Sequence, residues 1–155
     1  MTVDVRTVTT PWKKPFPSFD GDNEAFWDGL RRHELLLWRC KQCQAWYWPK
    51  AYCRNHPNDP FMGNLEWTAA SGRGKVFAFN VHHIAFHPGF ADDVPYVYAL
   101  VELDEGPLIS STLVDVDPKS VSVGLTVGLP VEIVYEDHPT EGFTIPRFKP
   151  VKKGT

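Results

Sequence analysis

Apolar positions along this chain follow two rhythms, one near its start and another over its second half. In DNEAFWDGLRR, residues 22–32, Phe26, Trp27 and Leu30 fall on one side of a helical turn. That spacing predicts a short amphipathic helix over roughly 23–32, with Asp22 or Asn23 as N-cap. LLLWRC, residues 35–40, then reads as a strand. After residue 64 short apolar runs are punctuated by Gly, Pro and Asp, the texture of strands joined by turns. GKVFAFNVHHIAF, residues 74–86, is a long strand with apolar residues on both faces. PYVYALVELD places Val97, Ala99, Val101 and Leu103 on one side, and PLISSTLVDVD follows across a DEGP turn at 104–107. DPKSVSVGLTVGLP supplies a turn and a short irregular link, VEIVYEDH alternates again, and FTIPRFKPV closes the series. Five strands with Greek-key-like spacing predict a small closed barrel, of which the OB-fold is the commonest.

Residues 1–20, with TPWKKPFPSF, show no apolar period and predict an extended arm. The expected fold class is mainly β. Its divisions are an arm and short helix over 1–36, a metal ribbon over 37–64, the barrel over 65–150 and a tail over 151–155.

Composition narrows the class. A chain of 155 residues can bury about 68–70% of its unfolded surface, enough for a real core. Hydrophobic and charged fractions of 43% and 23% belong to a soluble globular protein, and no apolar run of membrane-spanning length occurs. MTVDVRTVTTPWKKP lacks the apolar stretch of a signal peptide, so a cytoplasmic location with reduced thiols is expected. A net charge of −3, with the basic groups WKKP and RFKPVKK at the two ends, gives no electrostatic pull toward nucleic acid.

All three cysteines lie in RCKQCQAWYWPKAYCRNHP, residues 39–57. Cys40 and Cys43 form a C-x2-C pair; Cys53 and His56 form a C-x2-H pair. Two such knuckles offer four tetrahedral donors, and three thiolates with one imidazole suit a zinc ion with no open coordination position. The prediction is a structural zinc centre at Cys40, Cys43, Cys53 and His56. It would hold Trp46, Tyr47, Trp48 and the WPKAY loop in one shape. The competing possibility is three buried thiols and a surface histidine. A rubredoxin-type iron site would need a fourth thiolate. With every thiol so engaged, none is left as a nucleophile.

Other candidates carry less. His82 and His83, in one predicted strand, point to opposite faces and cannot form one constellation. His87 and His138 each precede a proline and read as loop residues. SGRGK, residues 71–75, lacks the spacing and following helix of a phosphate-binding loop and is better explained as a turn. Asp92, Asp93, Glu102, Asp104 and Glu105 sit at turns or strand ends and suggest caps and solubility. No Ser/His/Asp grouping is recognisable, and no catalytic residue is assigned.

The order of these features is itself specific: FWDGLRRHELLLWRCKQC, Pro49 ahead of Cys53, LEWTAASGRGKVFAF, PYVYALVELDEGP and EDHPTEGFTIPRFKP. From about residue 22 to 150 the chain resembles the family catalogued as domain of unknown function 35. The resemblance implies an N-terminal helical arm, a rubredoxin-like zinc ribbon and an acyl-CoA-associated OB-fold. It also implies a non-catalytic partner subunit of thiolase-superfamily enzymes, thiolases or aldolases, in lipid, steroid or aromatic degradation. In such hetero-oligomers the barrel helps form the acyl-CoA channel near the interface. His56 stands where the family usually has a fourth cysteine, a swap that keeps four donors and leaves a more labile site open. No residue is assigned to CoA. Two alternatives stay open: a nucleic-acid-binding ribbon and barrel, against which the acidic balance argues, and a stand-alone acyl-CoA-binding protein.

Overall fold

The computed structural model describes residues 2–49, 52–60 and 63–152. Helix α1, Glu24–Arg31, forms where the apolar spacing places it, with Glu24 in the first turn and Arg31 in the last, each complementing the helix dipole. Phe26 and Leu30 turn inward and are buried. The N-cap falls on Asn23, one of the two expected positions. Asn23 occupies the N-cap position without a side-chain cap bond. Asp20 acts one step earlier, its Oδ1 accepting from the backbone N–H of Asp22 at 2.9 Å and of Asn23 at 3.1 Å.

Strand β2, Leu36–Cys40, is the middle of a three-stranded antiparallel sheet, with β3, Trp46–Tyr47, on one edge and β4, Leu65–Ala69, on the other. The sequence texture groups Leu65–Ala69 with the barrel, yet this strand pairs with β2 from Leu65↔Cys40 to Ala69↔Leu36. Trp67 stacks on Trp38 across that pair at 4.0 Å between ring centroids. Such a cross-strand pair contributes about 0.5–1.5 kcal/mol beyond its area burial.

Strand β5, Arg73–His82, starts the barrel. It pairs with β6, Tyr96–Leu103, which pairs with β7, Leu108–Leu113. β7 meets β9, Thr144–Pro150, which pairs along its length with β8, Pro130–Asp137, and β8 returns to β5. The circuit is the expected five-stranded closed barrel. Its inward stripe on β6, Val97, Ala99, Val101 and Leu103, is almost wholly buried, as are Val76, Val131 and Phe148. Phe26 and Leu30 of α1 join the same core, so the helix is bound to the barrel by apolar packing. Gly74 allows β5 and β6 to close up, because an added Cβ would collide with the Glu102 carbonyl.

The hairpin turn at 104–107 is as predicted. Gly106 adopts φ +112°, its N–H donates to the Leu103 carbonyl at 2.8 Å, and the Leu103 N–H donates to Pro107 at 2.9 Å.

Three further expectations change. The N-terminal arm is extended, but Asp4–Thr7 forms strand β1, which pairs in parallel with Val134–Asp137 of β8. Charge fixes it there: Arg6 reaches Asp4 at 2.9 Å and Asp115 at 2.7 Å, and Lys149 reaches Asp4 at 2.7 Å. Second, β5 stops at His82, short of Phe86, because its partner β6 begins at Tyr96 opposite His82. Beyond that point Ile84 and Phe86 are 71% and 85% exposed. Third, the irregular link before β8 holds a one-turn helix α2, Val123–Thr126.

Candidate metal centre

Two turns bring the predicted ligands together. The first follows β2: the Gln44 N–H donates to the Cys40 carbonyl at 3.0 Å, and Gln44 takes φ +66° to reverse the chain. The second is set by the His56 N–H donating to the Cys53 carbonyl at 3.1 Å. As a result one ligand atom from each of Cys40, Cys43, Cys53 and His56 lies within 4.8 Å of the others. Cys40 and Cys53 are buried in a small core with Trp38 and Leu65, while Cys43 is exposed.

The chemistry around the sulfurs is polar and specific. The Asn55 amide donates to Cys43 Sγ at 3.3 Å, and the Tyr47 hydroxyl donates to Cys53 Sγ at 3.4 Å. Tyr47 is fixed in turn by the Arg54 N–H at 3.0 Å. The Asn55 hydrogen bond, helped by the backbone at Ala45, lowers the Cys43 thiol to about 6. Burial pushes the Cys53 thiol up.

The residues fit a metal ion. Cys43 and Cys53 sulfurs are 3.4 Å apart, well beyond the ~2.05 Å of a disulfide. Thiolates about 2.3 Å from one tetrahedral centre stand roughly 3.8 Å apart. The buried His56 Nε2 has no hydrogen-bond partner among the described residues, a group that normally finds one. Three sulfurs and an imidazole nitrogen facing one point can hold a metal ion.

The loop tied by this cluster carries Trp46, Tyr47 and Trp48, all half-buried. Lys50 and Ala51 of the WPKAY stretch lie outside the described residues. Trp48 packs on Phe26 of α1 at 4.3 Å, and Arg39 lies over Trp46 at 5.1 Å. Phe26, Trp27 and Trp48 line a trough of about 360 Å³ together with Phe90, from the turn Pro88–Phe90 ahead of β6, and Tyr96 and Tyr98 of β6.

The remaining candidates fall elsewhere. His82 stacks on Tyr96 at 4.9 Å, and His83 is exposed beyond the strand end. His87 accepts from the Gly89 N–H at 2.9 Å and His138 from the Glu141 N–H at 3.0 Å, both as loop caps. Ser71–Gly72 turns the chain into β5, with the Arg73 N–H donating to Ser71 Oγ at 3.1 Å. Sequence reasoning missed Tyr47 and Asn55 as partners of the thiols. Asn55 could have been found, since it lies between two proposed ligands; Tyr47 could not, because only the fold turns it toward Cys53.

A cysteine-histidine ribbon joined to a five-stranded Greek-key barrel defines an OB-fold protein with an appended metal-type knuckle. Comparison with known proteins agrees. Residues 67–136 match the family described as "ChsH2, C-terminal OB-fold domain". The chain is 33% identical over 126 residues to a "DUF35 domain-containing scaffold protein" of Methanocaldococcus jannaschii, covering 78% of this chain and 84% of that one. It is 37% identical over 123 residues to the "3-oxo-4,17-pregnadiene-20-carboxyl-CoA hydratase alpha subunit" of Mycobacterium tuberculosis, covering 79% of this chain. The chain spans 40% or less of the hydratase-named curated relatives it matches. The solved structure "Ltp2-ChsH2(DUF35) aldolase" includes a chain that superposes with TM-score 0.70 at 29% identity, over 87% of this chain and 98% of that one. This chain belongs to the DUF35 family. No helix among the described residues is long and apolar enough to cross a membrane.

Proposed function

We propose that this chain is a non-catalytic accessory subunit that assembles with a thiolase-like enzyme acting on acyl-CoA thioesters. The observation that carries the reading is the correspondence of 87% of this chain with 98% of a chain in the solved structure described as "Ltp2-ChsH2(DUF35) aldolase". The only clustered thiols of the chain face one another across the candidate metal site, which supports a scaffold without a nucleophile of its own. On this reading Cys40, Cys43, Cys53 and His56 hold a structural zinc ion. Zinc would supply a rigid four-donor crosslink, and these residues would orient the Trp46–Trp48 loop. The subunit works in the cytoplasm, and its barrel helps shape the acyl-CoA channel near the interface.

Co-expression with a thiolase-superfamily subunit from the same genome tests the assembly. Higher solubility and turnover of that subunit with this chain present are expected; equal values in both preparations reject the role. Less than about half an equivalent of zinc in protein purified without chelators rejects the metal assignment. The 37% identity to a hydratase alpha subunit favours a second reading, in which the partner is a hydratase-type subunit. Co-purification with one partner type and not the other separates the two.

A further inference from the structure

We propose that the outer edge of β5, from Ala78 to His82, docks a second copy of this chain, the two edges pairing antiparallel about a twofold axis at Asn80. Backbone alternation fixes which groups are free. The Leu103 N–H donates to the Pro107 carbonyl at 2.9 Å, on the β7 side. Leu103, Val101, Ala99 and Val97 therefore direct their backbone groups to β7, and Leu100, Tyr98 and Tyr96 direct theirs to β5. Those three stand opposite Ala78, Asn80 and His82, which leaves the N–H and C=O of Phe79 and Val81 turned outward. Val76 agrees from the other side of the strand. Its N–H donates to the Leu129 carbonyl at 3.0 Å, and its carbonyl accepts from the Gly128 N–H at 2.7 Å. There the cover ends. β8 pairs with β5 only over Arg73–Lys75, and beyond Val76 no strand or loop backbone among the described residues bonds Phe79 or Val81 on that edge.

An unpaired edge is a template for another strand, and monomers blunt it with charge or proline. Residues 76–87 hold no Asp, Glu, Lys, Arg or Pro, and residues 121–129, which reach the edge at Val76, hold none either. A charged partner would find no counter-charge on this strip, whereas an uncharged strip is complementary to itself. With Phe79 and Val81 as the free positions, a twofold at Asn80 sets Phe79 of each copy against Val81 of the other, for four N–H···O=C bonds in all. The same operation carries the α2 end of one edge to the far end of the other. Val123 and Leu125, 73% and 72% exposed, are thereby brought to the exposed Ile84 and Phe86 of the second copy. At ~200 Å² for a whole ring, Phe77 and Phe86 offer roughly 280 Å² at their 54% and 85% exposure. Ile84 and the α2 side chains add a comparable area. Together they reach the ~500 Å² per copy at which a stable interface begins, and match the largest apolar patch that a monomer usually leaves open.

The test is sedimentation velocity of the full chain, purified without chelators and without any partner, over a concentration series up to roughly 100 μM. A species of twice the chain mass is expected to grow with concentration. Asn80 is exposed, so its replacement leaves the fold intact, as far-ultraviolet dichroism checks. In the dimer the two Asn80 residues oppose each other directly, with Cα atoms about 4.5 Å apart. Asn80→Lys and Asn80→Asp each set like charges there and should weaken association about a hundredfold. An equimolar mixture of the two variants should recover the dimer, because opposite charges then meet. Leu108→Lys, at an exposed position on β7 two strands away, should leave association unchanged. A wild-type chain that stays monomeric, a dimer indifferent to Asn80→Lys, or a mixture of the charged variants that stays monomeric overturns the proposal. A monomeric wild-type chain whose assembly with a thiolase-superfamily subunit is blocked by Asn80→Lys also overturns it, and gives the edge to that subunit.

Discussion

Asp4 pins β1 to the barrel, and Asp4→Asn is expected to cost stability that acid removes. The carboxylate receives Arg6 at 2.9 Å and Lys149 at 2.7 Å. Those hydrogen bonds, Arg6 first and Lys149 next, hold its pKa at about 2 against the usual 3.8. At about 1.36 kcal/mol per pH unit, a shift of that size corresponds to roughly 2.4 kcal/mol. The Asp4 and Arg6 side chains are 22% and 35% exposed, and solvent screening reduces the expected contribution to about 1–1.5 kcal/mol. The folded-state pKa is depressed, so the stabilisation is complete above about pH 4 and fades as pH falls through about 2. Urea unfolding of the wild-type chain and of Asp4→Asn at a series of pH values reads the difference directly. Any metal lost in acid through thiolate protonation is common to both proteins and cancels. Equal stability at pH 7, or a gap that persists undiminished at pH 2, would refute the reasoning.

Other outcomes follow from single contacts. His56→Ala should lower the zinc content measured by atomic emission, while the far-ultraviolet dichroism of the barrel persists. Leu30→Ala, at a position with no solvent exposure, should cost about 2–5 kcal/mol in denaturant unfolding because it empties the seam between α1 and the barrel. Asp137→Ala removes the carboxylate that meets His33 Nε2 at 2.9 Å and accepts from Thr144 Oγ1 at 2.6 Å. A loss of about 1–3 kcal/mol is expected there, since the buried Thr144 hydroxyl is left without its acceptor.

What could be read from the residues was whatever repeats locally. The period of α1, the alternation of β6 and the DEGP turn each declare themselves within ten residues or so, and the spacing of Cys40, Cys43, Cys53 and His56 does so by ligand chemistry. Long-range pairing does not. Leu65–Ala69 looks like any other apolar strand, and only its pairing with β2, across which Trp67 stacks on Trp38, assigns it to the ribbon sheet. Asp4–Thr7 is too short to show a period, and its strand identity depends on Asp115 and Lys149, more than a hundred positions away. The end of β5 was invisible because GKVFAFNVHHIAF keeps its β-forming character past the place where its neighbour runs out. The trough is likewise assembled from α1, the ribbon loop and three barrel strands, none of which announces a pocket.

Trp48 belongs to two structures at once: the loop closed by Cys43 and Cys53, and the aromatic wall that leans on Phe26. The thiol-bearing loop and the trough thus share one side chain, Trp48, which rests on Phe26. Trp48 is one of six tryptophans, so a variant that keeps it alone would carry a fluorescence signal from the place where the ribbon loop meets α1.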